Sequence, residues 1–375
     1  MTSNTSSSSS TLSSSSKSDR KFRFPFTLPE FGYHFNTLGE LRKIDSDERF
    51  KFNVHPTDKD YNEAHYESLG AVIDKHIEDR LERDVGLLRM QIPVDDRENE
   101  AKSKIFMSKD ALTSTKPLLV LVPGRHRRFV SSVPNLSYSP PSNYGTTSIG
   151  QWARRIIIND NINIGAMLEY LKQANEEGYD VLLTNPNENT GRLSGILKWI
   201  RGNETPSNHL LYVWDSILKK VNKPIVFVAH SAGGIAVFNL FKERPDETMA
   251  RVKGIALTDS LHDATVITWQ RVRRWFAKVG AYGFRGKAKD TGMDSKFATE
   301  WMQKATNWVP SPLPVNTLIT RGITSKCGCP CRAAGHTEHA YTTVTAKEAV
   351  FAFLEDMIKS KEEAGEEIEI HGREE

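Results

Sequence analysis

PIVFVAHSAGGIAVFNL, residues Pro224–Leu240, carries the reading of the whole chain. Ile225 to Ala229 is a continuous apolar run rich in β-branched side chains, as expected for a short strand buried on both faces of a parallel sheet. After it comes His230-Ser231-Ala232-Gly233-Gly234, mostly small, and then Ile235, Ala236, Val237, Phe238, Leu240 and Phe241, which read as a buried helix. Strand, tight turn and helix match the nucleophile elbow G-x-S-x-G, with Ala229 where the first glycine would stand. Small neighbours are needed because the serine sits on a strained turn against strand and helix. Ser231 is therefore the candidate nucleophile, and the amide of Ala232 is one half of an oxyanion hole. The same turn also persists in folds that have lost their chemistry, which is the competing reading.

Upstream of this stretch, Leu87–Val94 and Lys104–Ser108 are strand-like, and Leu118–Val122 is a fully apolar strand ending in Pro123-Gly124. A helix through Ile164, Met167, Leu168, Leu171 and Ala174 follows, with Gly178 placed to end it. A fourth strand at Tyr179–Asn185 and a helix at Leu210–Val221 come next, then the nucleophile strand. That order is the layout of an α/β-hydrolase, a mostly parallel, doubly wound sheet. In that layout the loop after the third strand supplies the second oxyanion N–H, here from Gly124 or Arg125. The long stretch from Arg125 to Gly150, with Arg127 and Arg128, is either functional or disordered. Asn185-Pro186-Asn187-Glu188-Asn189 lies at the carboxyl edge of the sheet, where open α/β folds bind ligands, although Asn and Pro also form ordinary turns.

A serine nucleophile needs a base for its proton and an acid to hold that base, and the hydrolase fold supplies them in the order Ser, Asp or Glu, His. Val252–Thr258 reads as a sixth strand ending in Asp259, the candidate acid, with Asp263 and Glu338 as alternatives. His339, before a last amphipathic helix at 345–359, is the candidate base, in competition with His262 and His336. A helix from Trp269 to Val279 carries aromatic and basic side chains, as a lid or an RNA-binding patch would, and Val315–Thr320 reads as another strand.

Length and composition set the frame. A chain of 375 residues, 38% hydrophobic, buries a large core, and its net charge of +3 does not describe a nucleic-acid surface. Direct binding of nucleic acid is not expected. Residues 1–20 form a Ser/Thr-rich tail too poor in apolar groups to order, and 361–375 an acidic one. Between them, 21–360 is one domain, with an N-terminal extension at 21–86 and a hydrolase core at 87–360. The extension holds short strands at Tyr33–Phe35, Leu41–Ile44 and Phe50–Val54 and a long amphipathic helix over Asp58–Asp84. No run approaches a membrane span, and no apolar signal follows Met1. The three cysteines, Cys327, Cys329 and Cys331, are spaced too tightly for the usual zinc site, so neither metal nor cofactor is expected and a reducing compartment is.

Several motifs together resemble the argonaute-binding-protein-two (Arb-two) domain family, its animal cotranscriptional regulators above all. They are Phe31-Gly32-Tyr33-His34-Phe35-Asn36, Ile92-Pro93-Val94, Ile105-Phe106-Met107-Ser108, Gly150-Gln151-Trp152-Ala153-Arg154-Arg155, Asn185-Pro186-Asn187-Glu188-Asn189, Tyr212-Val213-Trp214-Asp215, Phe227-Val228-Ala229-His230-Ser231, Ala256-Leu257-Thr258-Asp259-Ser260 and Ala334-Gly335 with His339. The resemblance implies an α/β-hydrolase fold, hydrolase activity through the matched Ser231, and a regulatory scaffold in nuclear RNA-linked processes, silencing or alternative splicing. Argonaute and chromatin-associated proteins are the partners it implies, and nucleus and cytoplasm the locations. The alternative is an active esterase, amidase or lipase-like enzyme using Ser231, Asp259 and His339. One departure stands out: Pro123 occupies the place of a histidine in similar members.

Overall fold

The computed structural model describes residues 22–95, 97–124, 147–266, 268, 270–276, 305–319 and 328–371. In chain order, β1 (Tyr33–Phe35) and β2 (Leu41–Lys43) form a small antiparallel hairpin, followed by the long helix α1 (Lys59–Arg83). Then come β3 (Leu88–Ile92), β4 (Ser103–Met107) and β5 (Leu118–Val122), three helices α2 (Arg154–Asn159), α3 (Ile162–Gly165) and α4 (Leu168–Glu176), and β6 (Asp180–Leu183). A separate hairpin, β7 (Thr190–Leu193) and β8 (Ile196–Trp199), precedes α5 (Pro206–Ser216) and β9 (Ile225–His230). The remainder is α6 (Gly233–Glu243), α7 (Pro245–Arg251), β10 (Val252–Thr258), α8 (Gln270–Phe276), β11 (Ala305–Val309), β12 (Leu318–Ile319), β13 (Cys331–Ala333), α9 (Thr342–Thr345) and α10 (Lys347–His371).

One nine-stranded sheet takes these strands in the order β12-β13-β11-β10-β9-β5-β6-β4-β3. From β6 through β5, β9, β10 and β11 to β13 every pairing is parallel, while β4 runs against both β6 and β3. This is the α/β-hydrolase arrangement. The third and fifth strands of the sheet, β5 and β9, lie side by side at its centre with Leu121 opposite Val228 and Val122 opposite Ala229.

Both faces are covered, which is why β5 is apolar throughout and β9 is apolar up to Ala229. Leu119, Leu121, Val226 and Val228 point into a core shared with Leu69, Ile73, Ile77 and Leu81 of α1 and with Phe351 and Leu354 of α10. Leu118, Val120, Phe227 and Ala229 point the other way, onto Leu210, Val213 and Trp214 of α5 and Val237 and Phe241 of α6. Leu69, Ile73, Ile77 and Leu81 recur at every fourth residue of α1, as one helical stripe requires, and the Asp58 carboxylate caps its start by accepting from the Tyr61 amide at 2.9 Å.

Several expectations need correction. Phe50–Val54 forms no strand; just before it Arg49 bridges to Arg42 of the hairpin, and the Phe50 ring packs on Tyr33 at 5.9 Å. The helix expected through Ile164–Ala174 is broken between α3 and α4, where the Ala166 backbone turns extended at φ −98° and ψ 167°. The strand expected at Val315–Thr320 shrinks to β12, and the strands that complete the sheet are β11 and β13. The final helix runs on to His371, through residues assigned to the acidic tail. The Ser/Thr-rich tail, the Arg125–Arg128 loop, Cys327 and Trp269 lie outside the described residues.

Candidate active site

Ser231 stands where β9 ends and α6 begins, and its φ of +53° places it in the left-handed region that non-glycine residues seldom occupy. The turn is locked on both sides: the Ser231 amide donates to the Thr258 carbonyl at 3.0 Å, and its own carbonyl accepts from Gly234 at 3.2 Å and Leu261 at 3.0 Å. The small residues around it answer to close approach. A Cβ on Gly233 would lie 2.5 Å from the Val122 carbonyl oxygen, and one on Gly234 only 1.8 Å from Ser260 Oγ. On the strand facing the turn, a Cβ on Gly124 would meet Ser231 Cβ at 2.7 Å. These glycines let α6, β5 and the loop after β10 converge on one serine.

Asp259 caps the neighbouring strand β10 with a second positive φ, +44°, and its amide donates to the Trp308 carbonyl of β11 at 2.6 Å. Its Oδ2 accepts a hydrogen bond from His339 Nδ1. His339 opens the short turn His339–Tyr341 ahead of α9, and with Nδ1–H spent on the carboxylate its Nε2 is the nitrogen free to take a proton. The competing residues have other engagements. His262 Nδ1 lies 2.6 Å from Ser260 Oγ with its ring stacked on Phe238, and His336 stacks on Tyr341 and accepts the Glu338 amide at 3.0 Å. Asp263 holds Thr265 through its amide at 2.9 Å, and Glu338 pairs with Arg155 at 3.3 Å.

The oxyanion side is built from backbone. Among the described residues neither the Ala232 nor the Gly124 amide donates to a backbone carbonyl, and Ala232 caps the positive end of the eleven-residue α6. Arg125, the other candidate donor, lies outside the described residues. The Gly124 peptide is held by Asn187, whose Nδ2 donates to the Gly124 carbonyl at 3.0 Å and to the Thr147 carbonyl at 2.9 Å. Behind Asn187 the polar loop is a buried network rather than a plain turn. Glu188 accepts from Ser103 at 2.6 Å and Asn185 at 2.7 Å, and Asn203 donates to the Glu188 carbonyl at 2.6 Å. His209 Nε2 accepts the Asn185 amide at 2.9 Å. Burial raises the Glu188 carboxyl above its ordinary value and pushes His209 down to about 3, so the His209 imidazole is neutral.

Two residues near the site escaped the sequence reading. Asn187 falls in the loop read both as a ligand-binding edge of the sheet and as an ordinary turn, but its hold on the Gly124 carbonyl is not visible in the sequence. His230, in the elbow motif with no role assigned, is 2% exposed and its ring lies 4.6 Å from that of His339. In helix α8 the aromatic and the basic side chains make separate contacts. Phe276 packs on Phe238 at 4.3 Å and Trp275 on Phe241 at 4.7 Å, while Arg271 pairs with Asp246. Cys329, just before β13, and Cys331, its first residue, are buried, and among the described residues no group of three His, Cys, Asp or Glu side chains could hold a metal ion. None of the described helices is long and apolar enough to cross a membrane.

Comparison with known proteins gives a consistent answer. The family model for the Arb2 domain matches residues 24–133 and 143–282, which include Gly124, Ser231 and Asp259, with His339 beyond its end. The chain is 31% identical to the cotranscriptional regulator ARB2A homolog of Gallus gallus over 395 residues, covering 92% of this chain and 84% of that one. With the cotranscriptional regulator ARB2A of Homo sapiens it shares 30% over 395 residues, with the same coverage of both. Among solved structures it is similar to a bacterial heroin esterase at 14% identity and a TM-score of 0.34, over 84% of this chain and 94% of that one.

Proposed function

The chain belongs to the Arb2 domain family, and we propose that it joins the cotranscriptional role for which its relatives are named to a working serine-hydrolase centre of Ser231, His339 and Asp259. The observation that carries the chemical half is the hydrogen bond from His339 Nδ1 to the Asp259 carboxylate, formed between residues 80 positions apart beside a serine held at positive φ. A turn kept only as fold would not need an acid and a histidine joined next to it.

In this reading Ser231 Oγ attacks the carbonyl carbon of an acyl substrate while His339 Nε2 takes its proton. The Asp259 carboxylate holds the imidazole in the right tautomer and stabilises the imidazolium. The tetrahedral oxyanion accepts from the amides of Ala232 and Gly124. Collapse expels an alcohol, thiol or amine, which leaves with the proton from His339, and water then releases the acyl group from Ser231 by the same route. Turnover of short p-nitrophenyl esters tests it: the full chain hydrolyses them, and Ser231→Ala at the wild-type rate contradicts the assignment.

The regulatory half is carried by surface. The N-terminal hairpin layer exposes Leu38, Ile44, Phe52 and Val54, apolar side chains that a minimal hydrolase has no use for. Argonaute or chromatin-associated proteins in the nucleus, with a cytoplasmic pool, are the partners we assign to it.

A further inference from the structure

His230 is buried, and every contact of its Nδ1 falls on a segment that carries another candidate triad residue. That nitrogen lies 3.0 Å from the Thr258 carbonyl oxygen, 3.3 Å from Thr258 Oγ1 and 3.0 Å from Thr343 Oγ1. A carbonyl oxygen only accepts, so Nδ1 carries the proton. Burial first, and then the nearby His339, push its pKa down to about 3, so the ring stays neutral. Of the groups packed against it, His339 is titratable, while Thr258, Thr343 and the Trp152 ring, 6.3 Å away at 74°, carry no charge.

The connectivity is specific. Ser231 is the next residue after His230, Asp259 is the next after Thr258, and Thr343 lies one helical turn beyond His339. Thr258 Oγ1 and Thr343 Oγ1 share a hydrogen bond of 2.8 Å, closing a triangle at the imidazole, and the Thr258 carbonyl also accepts the Ser231 amide at 3.0 Å. Over this triangle the His339 ring lies at 34° to the His230 ring.

We propose that His230 is the positioning residue of the site. It is a buried imidazole that ties the serine turn, the acid strand and the base-bearing turn together through Nδ1 and supports the His339 ring with its face. The proposal rests on the hydrolase reading for its kinetic consequence but not for its structural one. Burial makes this ring a poor base, so it leaves the serine proton to His339. It confines His339 to the side of Asp259.

The test uses the full chain and three variants. His230→Phe keeps a ring face and loses the Nδ1 donor, His230→Asn places an amide N–H near the position of Nδ1, and Thr343→Val removes one corner of the triangle. Two readouts are taken: the first-order step of inactivation by a fluorophosphonate, separated from its half-saturating concentration, and the downfield proton resonance of the His339–Asp259 hydrogen bond. His230→Phe should slow the first-order step about 10- to 100-fold with the half-saturating concentration unchanged, the mark of lost alignment rather than lost binding. It should also shift or broaden the resonance. His230→Asn should recover most of both, and Thr343→Val should move the resonance in the same direction.

A folded His230→Phe that keeps the wild-type rate and resonance overturns the proposal, and an Asn variant no better than Phe overturns the role of Nδ1. Should His230→Phe fail to fold, Thr343→Val decides, and an unmoved resonance there overturns it. Absence of labelling in the unmodified chain would sink the hydrolase reading instead, while the resonance still judges His230.

Discussion

The two sides of Ser231 are held by different means. On the proton-transfer side, three segments far apart in sequence are joined by side chains: Asp259 to His339, and His230 to Thr258 and Thr343. On the oxyanion side the donors are backbone amides, placed by glycines that admit close contact and by one side chain, Asn187, that grips the Gly124 carbonyl. Each side also has a buried neutral histidine used in the opposite sense: His230 donates through Nδ1 to a carbonyl, and His209 accepts a backbone amide through Nε2. The lesson is that side-chain wiring fails when one atom is removed, whereas a backbone cradle degrades gradually. The largest losses should therefore come from the proton-transfer side.

Ser231→Ala and His339→Ala should each remove about 10⁶ of the rate on an activated ester, as members of a unit that act together, and Asp259→Asn about 10⁴. Retention of more than a tenth of the rate in Asp259→Asn would move the acid elsewhere. Asn187→Ala sharpens the contrast. Loss of an oxyanion donor outright is worth about 10²–10³, and Asn187 acts only through Gly124, so we expect about 10- to 100-fold in kcat with KM unchanged. A loss as deep as that of Asp259→Asn would erase the distinction between the two sides.

Acid should threaten both sides alike. The folded-state pKa of His209 and of His230 is about 3, below the unfolded value of about 6.5, so as pH falls the unfolded chain takes up the proton first. Their contribution is complete above about pH 6.5 and is lost progressively down to about pH 3. Between pH 7 and pH 5 each buried imidazole should cost about 2 kcal/mol of unfolding free energy, read from urea titrations at the two pH values. His209→Asn and His230→Asn should each shrink that drop by about its own share, and an unchanged drop in either would contradict the assignment. The smallest effect is expected at the surface. Ser231→Ala should recover the same nuclear partners as the unmodified chain in pull-downs, because it removes one oxygen from a turn that is 5% exposed. Release of those partners by this change alone would mean that the site itself engages them.

Much of this was legible in the residues. The apolar runs at Leu118–Val122, Ile225–Ala229 and Val252–Thr258 became parallel neighbours, because strands buried on two faces leave a continuous apolar signature. Chain order put Asp259 and His339 forward among competing residues, and the structure joins their side chains. What escaped is what depends on distant partners. Strand β11 reads Ala-Thr-Asn-Trp-Val, with Thr306 and Asn307 buried, and β13 begins at a cysteine, so neither shows the pattern of an inner strand. Asn187 looks like a turn former because its target, Gly124, is 63 residues away. His230 shows no role of its own because Thr343 lies 113 residues downstream. Buried polar side chains satisfied over such distances carry no local periodicity, and sequence reasoning finds them only when the sheet order is already known.

The central claim is that Ser231 is an activated nucleophile, and labelling the purified full chain with a fluorophosphonate, followed by peptide mapping, tests it most directly. One adduct per chain is expected on the peptide containing Ser231, lost in Ser231→Ala and strongly slowed in His339→Ala. No adduct on folded protein, or an adduct that persists in Ser231→Ala, would contradict it.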